Sequence, residues 1–64
     1  MRQGELWARL LDLLGAGYVG TWSESVVHAD LGGRTVRQAV DDGLDVRRIW
    51  LVAAENLEVP HHAR

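Results

Sequence analysis

Apolar residues recur along this chain at helical rather than alternating spacing, in four segments. In the first, Leu6, Trp7, Leu10, Leu11 and Leu14 make one wide apolar stripe, with Glu5, Arg9 and Asp12 lying off it. Gly4 serves as its N-cap, and Gly15 with Gly17 as its stop. The second segment runs from about Tyr18 to Asp30. There Tyr18, Trp22 and Val26 share a face, with Val19, Ala29 and Leu31 beside them. Val26 and Val27 are β-branched, so this helix depends most on packing.

Gly32 and Gly33 break the pattern, and Thr35-Val36-Arg37-Gln38 reads as a capping box that starts a third helix. Its short apolar face is Val36, Ala39 and Val40, and Gly43 ends it. Asp45 caps the fourth helix, in which Val46, Ile49, Trp50, Ala53 and Leu57 fall on one side. Val59-Pro60 terminates it, and residues 61–64 are expected to be a disordered tail. The pattern therefore predicts an all-α fold: a single domain over residues 1–60, built as a bundle of four short helices with a tryptophan-rich core.

Composition adds a constraint. A chain of 64 residues without cysteine has neither a disulfide framework nor a thiolate zinc site. At this size folding buries only about 60% of the unfolded surface. The core must then come from the 47% hydrophobic content, and Trp7, Trp22 and Trp50 each lie on the apolar stripe of a different helix. Trp22 and Trp50 are read as core. Trp7, near the N-terminus, is the interface candidate. The net charge of −2 does not mark a surface for polyanions, and no apolar run is long enough for a membrane span. The expectation is a cytoplasmic protein.

Little in the chain points to catalysis. His28 reads as a packing or capping residue, and His61 and His62 as solvated tail. The acidic residues Asp41, Asp42 and Asp45 are accounted for by a helix end and a cap. No nucleophile, base and orienting group come together, so neither an enzyme, a cofactor nor a metal site is expected. The distinctive polar feature is arginine around the glycine turn. Arg34, Arg37, Arg47 and Arg48, with Trp7 as an apolar anchor, form the candidate binding surface for a protein partner. Gly32-Gly33-Arg34-Thr35 ahead of a helix also has the makings of an anion site, although the plainer reading is a turn in which Arg34 pairs with a carboxylate such as Asp30.

A second functional reading is a helix-turn-helix over residues 35–57. Ala39, Gly43, Leu44, Ile49 and Val52 sit at the spacing of that motif, while Gln38 and Asp42 occupy positions where it wants core residues. Residues 34–48 hold four arginines against three aspartates, a small excess for reading phosphates. DNA binding is thus the alternative, and a protein-interaction or regulatory module the preferred function.

The arrangement of these residues resembles an actinobacterial family, the domain of unknown function 3046. The resemblance covers nearly the whole chain. It rests on Trp7, Trp22, the run Leu31-Gly32-Gly33-Arg34-Thr35-Val36 followed by Gln38-Ala39, then Gly43, Ile49-Trp50 and Val59-Pro60. Departures are Val46, where the family often has proline after the capping aspartate, and Ala54, where it often has cysteine. The resemblance implies a high-GC source, in keeping with seven arginines and no lysine. It carries no catalytic residue. Genes of the family tend to lie near the recombinase of homologous repair and its small regulator, which implies an accessory role in DNA repair.

Overall fold

The computed structural model describes residues 1–64. In chain order it has α1 (Gln3–Leu14), α2 (Val19–Ser25), β1 (Val27–His28), a 3-10 turn (Ala29–Leu31), β2 (Arg34–Thr35), α3 (Val36–Asp41), α4 (Val46–Asn56) and a final 3-10 turn (His61–Ala63). Most residues are helical, as the spacing predicts, but the fold is not all-α. A two-stranded antiparallel ribbon pairs Val27 with Thr35 and His28 with Arg34.

That ribbon replaces the second half of the expected second helix. α2 stops at Ser25, because Val26 turns to extended backbone at φ −82 and ψ 120. The paired residues Val27 and Thr35 and the preceding Val26 are β-branched, and β-branched side chains lose freedom in a helix but fit a pleated ribbon. The consequence for side chains is direct. Tyr18 precedes α2 and is exposed, Ala29 is exposed, and only Trp22 and Leu31 of that expected face are buried.

Helix ends follow local chemistry. The α3 capping box is complete: Gln38 N–H donates to Thr35 Oγ1 at 3.1 Å, and Thr35 N–H donates to Gln38 Oε1 at 2.9 Å. Asp45 Oδ2 accepts from Arg48 N–H at 2.9 Å and starts α4. α1 begins earlier than expected. The main-chain oxygen of Arg2 already accepts from Glu5 and Leu6, so Gly4 lies inside the first turn rather than capping it.

α3 and α4 end in the same way. Gly43 N–H reaches Val40 O and Leu44 N–H reaches Ala39 O; Glu58 N–H reaches Glu55 O and Val59 N–H reaches Ala54 O. Both are Schellman ends, with a left-handed residue at the turn. In α3 that residue is glycine at φ 77, whereas in α4 it is Glu58 at φ 58.

The core joins α1, α2, α3 and α4 through Leu6, Leu10, Trp22, Leu31, Val36, Ala39, Val40, Ile49, Trp50, Ala53, Ala54 and Val59. Trp7 is half-buried at its edge, so two of the three tryptophans belong to the core and the third to its rim. A radius of gyration of 10.6 Å matches the roughly 10.7 Å of a well-packed chain of this length. No helix is long and apolar enough to cross a membrane.

Residues 61–64 do not stand free. His61–Ala63 form the last 3-10 turn, and Arg64 is tied to α4 and the segment after it: its Nη1 donates to Glu55 at 2.8 Å and its Nε to Val59 O at 2.7 Å. The disordered tail expected for residues 61–64 leaves out these contacts of Arg64 with Glu55 and Val59.

Candidate functional site

The glycine turn between β1 and β2 is built by two arginines from different elements. Gly32 is left-handed at φ 71, and its amide closes the 3-10 turn onto Ala29 O at 2.9 Å. The Arg34 side chain folds over it, so a Cβ on residue 32 would lie 2.6 Å from Arg34 Nη1. Arg34 Nη1 donates to Leu31 O at 2.9 Å, while its Nε pairs with Asp42 at 2.8 Å. The carboxylate partner is thus Asp42, at the end of α3, rather than Asp30. Arg48, from the first turn of α4, donates Nη2 to Asp30 O at 2.8 Å. Two guanidiniums therefore bond adjacent carbonyls of the turn, those of Asp30 and Leu31. Arg34 thus commits its Nε and Nη1, and Arg48 its Nη2, to partners within the molecule.

The other two candidate arginines point elsewhere. Arg37 leaves α3 toward α1 and places its guanidinium 4.5 Å from the centroid of the Trp7 ring, a cation–π distance. Leu11, one helical turn after Trp7, is 44% exposed. Trp7, Leu11 and Arg37 thus make an apolar strip edged by one cation. Arg47 leaves α4 toward the last turn, and its Nη1 donates to the main-chain oxygen of Arg64 at 3.0 Å. The structure accordingly brings Arg34 and Arg48 to the glycine turn, joins Arg37 to Trp7, and sets Arg47 apart from both.

Sequence spacing missed two positions of chemical interest. The first is His28, buried beside Trp22 with ring centroids 5.4 Å apart. Its Nε2 has no hydrogen-bond partner. Burial pushes the imidazole below its ordinary range, and the nearby Asp30 carboxylate opposes this only in part. A shallow cleft of about 220 Å³ adjoins it, lined among others by Asp30, Val52 and Glu55. An apolar-polar-apolar run of Val27-His28-Ala29 gives no signal of a buried imidazole until the ribbon turns it inward. The second is Arg9. It pairs with Glu5 one turn earlier at 2.8 Å, stacks 5.1 Å from the Trp50 ring centroid, and also donates to Arg64 O at 3.2 Å. The i, i+4 ion pair was readable from spacing; the contact with Arg64 was not. No group of three or more His, Asp or Glu side chains is placed to hold a metal ion.

Compared with known families, residues 1–62 match the model described as "Protein of unknown function (DUF3046)". The chain belongs to the DUF3046 family. The match takes in the helix caps, the glycine turn and all three tryptophans. No curated protein and no solved structure matches this DUF3046 chain. The helix-turn-helix alternative gains no support from these comparisons. In the DUF3046 structure α3 spans only Val36–Asp41, and the two arginines that open α4 are bonded to main-chain oxygens of the same chain.

Proposed function

We propose that this DUF3046 protein is a non-enzymatic interaction or regulatory module, working in the cytoplasm. The carrying observation is the strip formed by Trp7, Leu11 and Arg37. A half-buried tryptophan ring lies 4.5 Å from a guanidinium, with an exposed leucine one turn along. Tryptophan and arginine are the side chains most enriched where a few residues supply most of the binding energy. A ring already fixed by its neighbours loses little freedom when a partner covers it. The gene neighbourhood implied by the family resemblance names homologous repair as the process in which to look for that partner.

Arg34 and Arg48 are unsuitable probes of this reading, since removing either frees a carbonyl of the glycine turn. Leu11→Glu and Arg37→Glu change the strip from its solvent side. Affinity capture with the full chain should recover a stoichiometric partner that both variants lose. Equal recovery by wild type and both variants would eliminate the strip as the interface. Duplex DNA titrated at low salt is expected to show no steeply salt-dependent binding.

A further inference from the structure

The two flanks of the Trp7 and Leu11 strip differ in charge. At roughly 3.6 residues per turn, Ala8 and Leu11 lie together at the centre of an uncharged side of α1, and both are exposed. Taken as the a and d positions of a heptad, they put Trp7 at g on one flank and Asp12 at e on the other. Arg37 reaches the Trp7 flank from α3, with its guanidinium 4.5 Å from the ring centroid. One flank is therefore cationic and the other anionic, with apolar side chains between them.

Both flanking charges lack a partner. The ion pairs of the chain join Arg9 to Glu5, Arg34 to Asp42 and Arg64 to Glu55, while Arg47 and Arg48 bond main-chain oxygens. Neither Arg37 nor Asp12 takes part, and Asp41, one turn after Arg37 on α3, is not paired with it. A second copy of the chain supplies both missing charges at once. When two α1 helices run parallel about a twofold axis, the g flank of each faces the e flank of the other. Arg37 of one protomer then meets the partner's Asp12, and the pair forms twice. An antiparallel arrangement sets Arg37 against Arg37 and Asp12 against Asp12, and like charges brought together across an interface are costly. An occupant carrying one sign of charge is repelled by one of the two flanks. We infer that this side of α1 joins two copies in a parallel twofold dimer, with Trp7 and Leu11 as its apolar part and an Arg37–Asp12 pair along each side. A single helix face is at the small end of specific interfaces, so the dimer is weak and reversible.

This pairing rests on the Trp7, Leu11 and Arg37 strip as the binding surface and names its occupant. The test is sedimentation equilibrium of the purified full chain at loading concentrations from about 10 μM to about 1 mM, the affinity range of small interfaces. Wild type should pass from monomer to dimer within that range. Leu11, Asp12 and Arg37 are all exposed, so variants at these positions keep the core intact. Leu11→Glu should weaken dimerisation about tenfold or more, and so should Arg37→Glu or Asp12→Arg alone. The two charge reversals combined in one chain recreate the pair with its signs exchanged, and should return the dissociation constant to within about threefold of wild type. A chain that stays monomeric at the highest concentration overturns the self-pairing and leaves the strip free for a different protein, which the capture experiment detects separately. A dimer unmoved by Leu11→Glu removes the strip as the interface and takes both readings with it. A dimer that the combined reversals weaken further than either alone does not pair Arg37 with Asp12, and the parallel arrangement falls.

Discussion

Glu58 is the left-handed residue of a Schellman end whose counterpart in α3 is a glycine, and the two ends have the same hydrogen-bond pattern. Glu58→Gly is therefore a substitution with a built-in reference. A left-handed conformation costs a residue with a Cβ roughly 1–2 kcal/mol. Glycine escapes that cost but gives back roughly 0.5–1 kcal/mol through the greater freedom of its unfolded chain. Glutamate at the carboxyl end of α4 also meets the negative pole of the helix, worth about 0.3 kcal/mol at an exposed position. The net expectation is a gain of about 1 kcal/mol, or a melting temperature higher by about 4–8 °C for a domain of this size. Urea unfolding followed by tryptophan fluorescence should show a higher midpoint with an unchanged slope. Glu58→Ala is the control, since it removes the charge and keeps the backbone strain, and so should gain only the few tenths from the helix pole. If glycine is no more stabilising than alanine, the strain assigned to Glu58 is not there.

Other expectations follow from single contacts. Gly32→Ala should cost about 1–2 kcal/mol through the left-handed backbone, and the Cβ must also displace the Arg34 side chain from 2.6 Å away; a urea midpoint equal to wild type would deny both effects. Thr35→Ala removes the buried half of the capping box and should cost about 1–2 kcal/mol, more than Gln38→Ala at the exposed half; the reverse ranking in urea would show the cap misassigned. His28 titrates below its ordinary 6.5 when folded, so the unfolded chain takes up its proton first. Stability contributed by the neutral ring is present above that value and declines as pH falls through it toward the lower folded value. His28→Phe should flatten this decline between about pH 8 and pH 5 and, by removing an unpaired buried nitrogen, keep the pH 8 stability within about 1 kcal/mol of wild type. A variant as pH-dependent as wild type over that range would place the titrating group elsewhere.

How far the chain could be read in advance varied by element. The capping box at Thr35, the Asp45 cap and the Gly43 stop stand where the spacing places them, and Val36, Ala39, Val40, Ile49, Trp50 and Ala53 are buried as their periodicity requires. The second segment misled because Tyr18, Trp22 and Val26 have helical spacing by coincidence with a strand that follows. The signals for the ribbon were present in Val26-Val27, Thr35-Val36 and two intervening glycines, but each strand is only two residues long and shows no alternation. Of the candidate binding residues, the types were legible and the groupings were not. Four arginines near one turn in sequence serve three different places in space.

The division has a physical basis. Caps, stops and amphipathic faces rest on bonds that span three to five residues, so the residues that decide them are neighbours in the chain. Their geometry is settled before any helix meets another. Arg37 on Trp7, Arg48 on the main chain of Asp30 and three donors on the main chain of Arg64 join groups far apart in sequence, and their energies exist only once the helices are packed. A long arginine side chain has several acceptors within reach, and which one it takes depends on where the neighbouring element comes to rest. The sequence by itself determined four helices and most of their inner faces. The tertiary structure alone decided that part of the second helix would become a ribbon, that His28 would lose its water, and that the final residues would be bound rather than free.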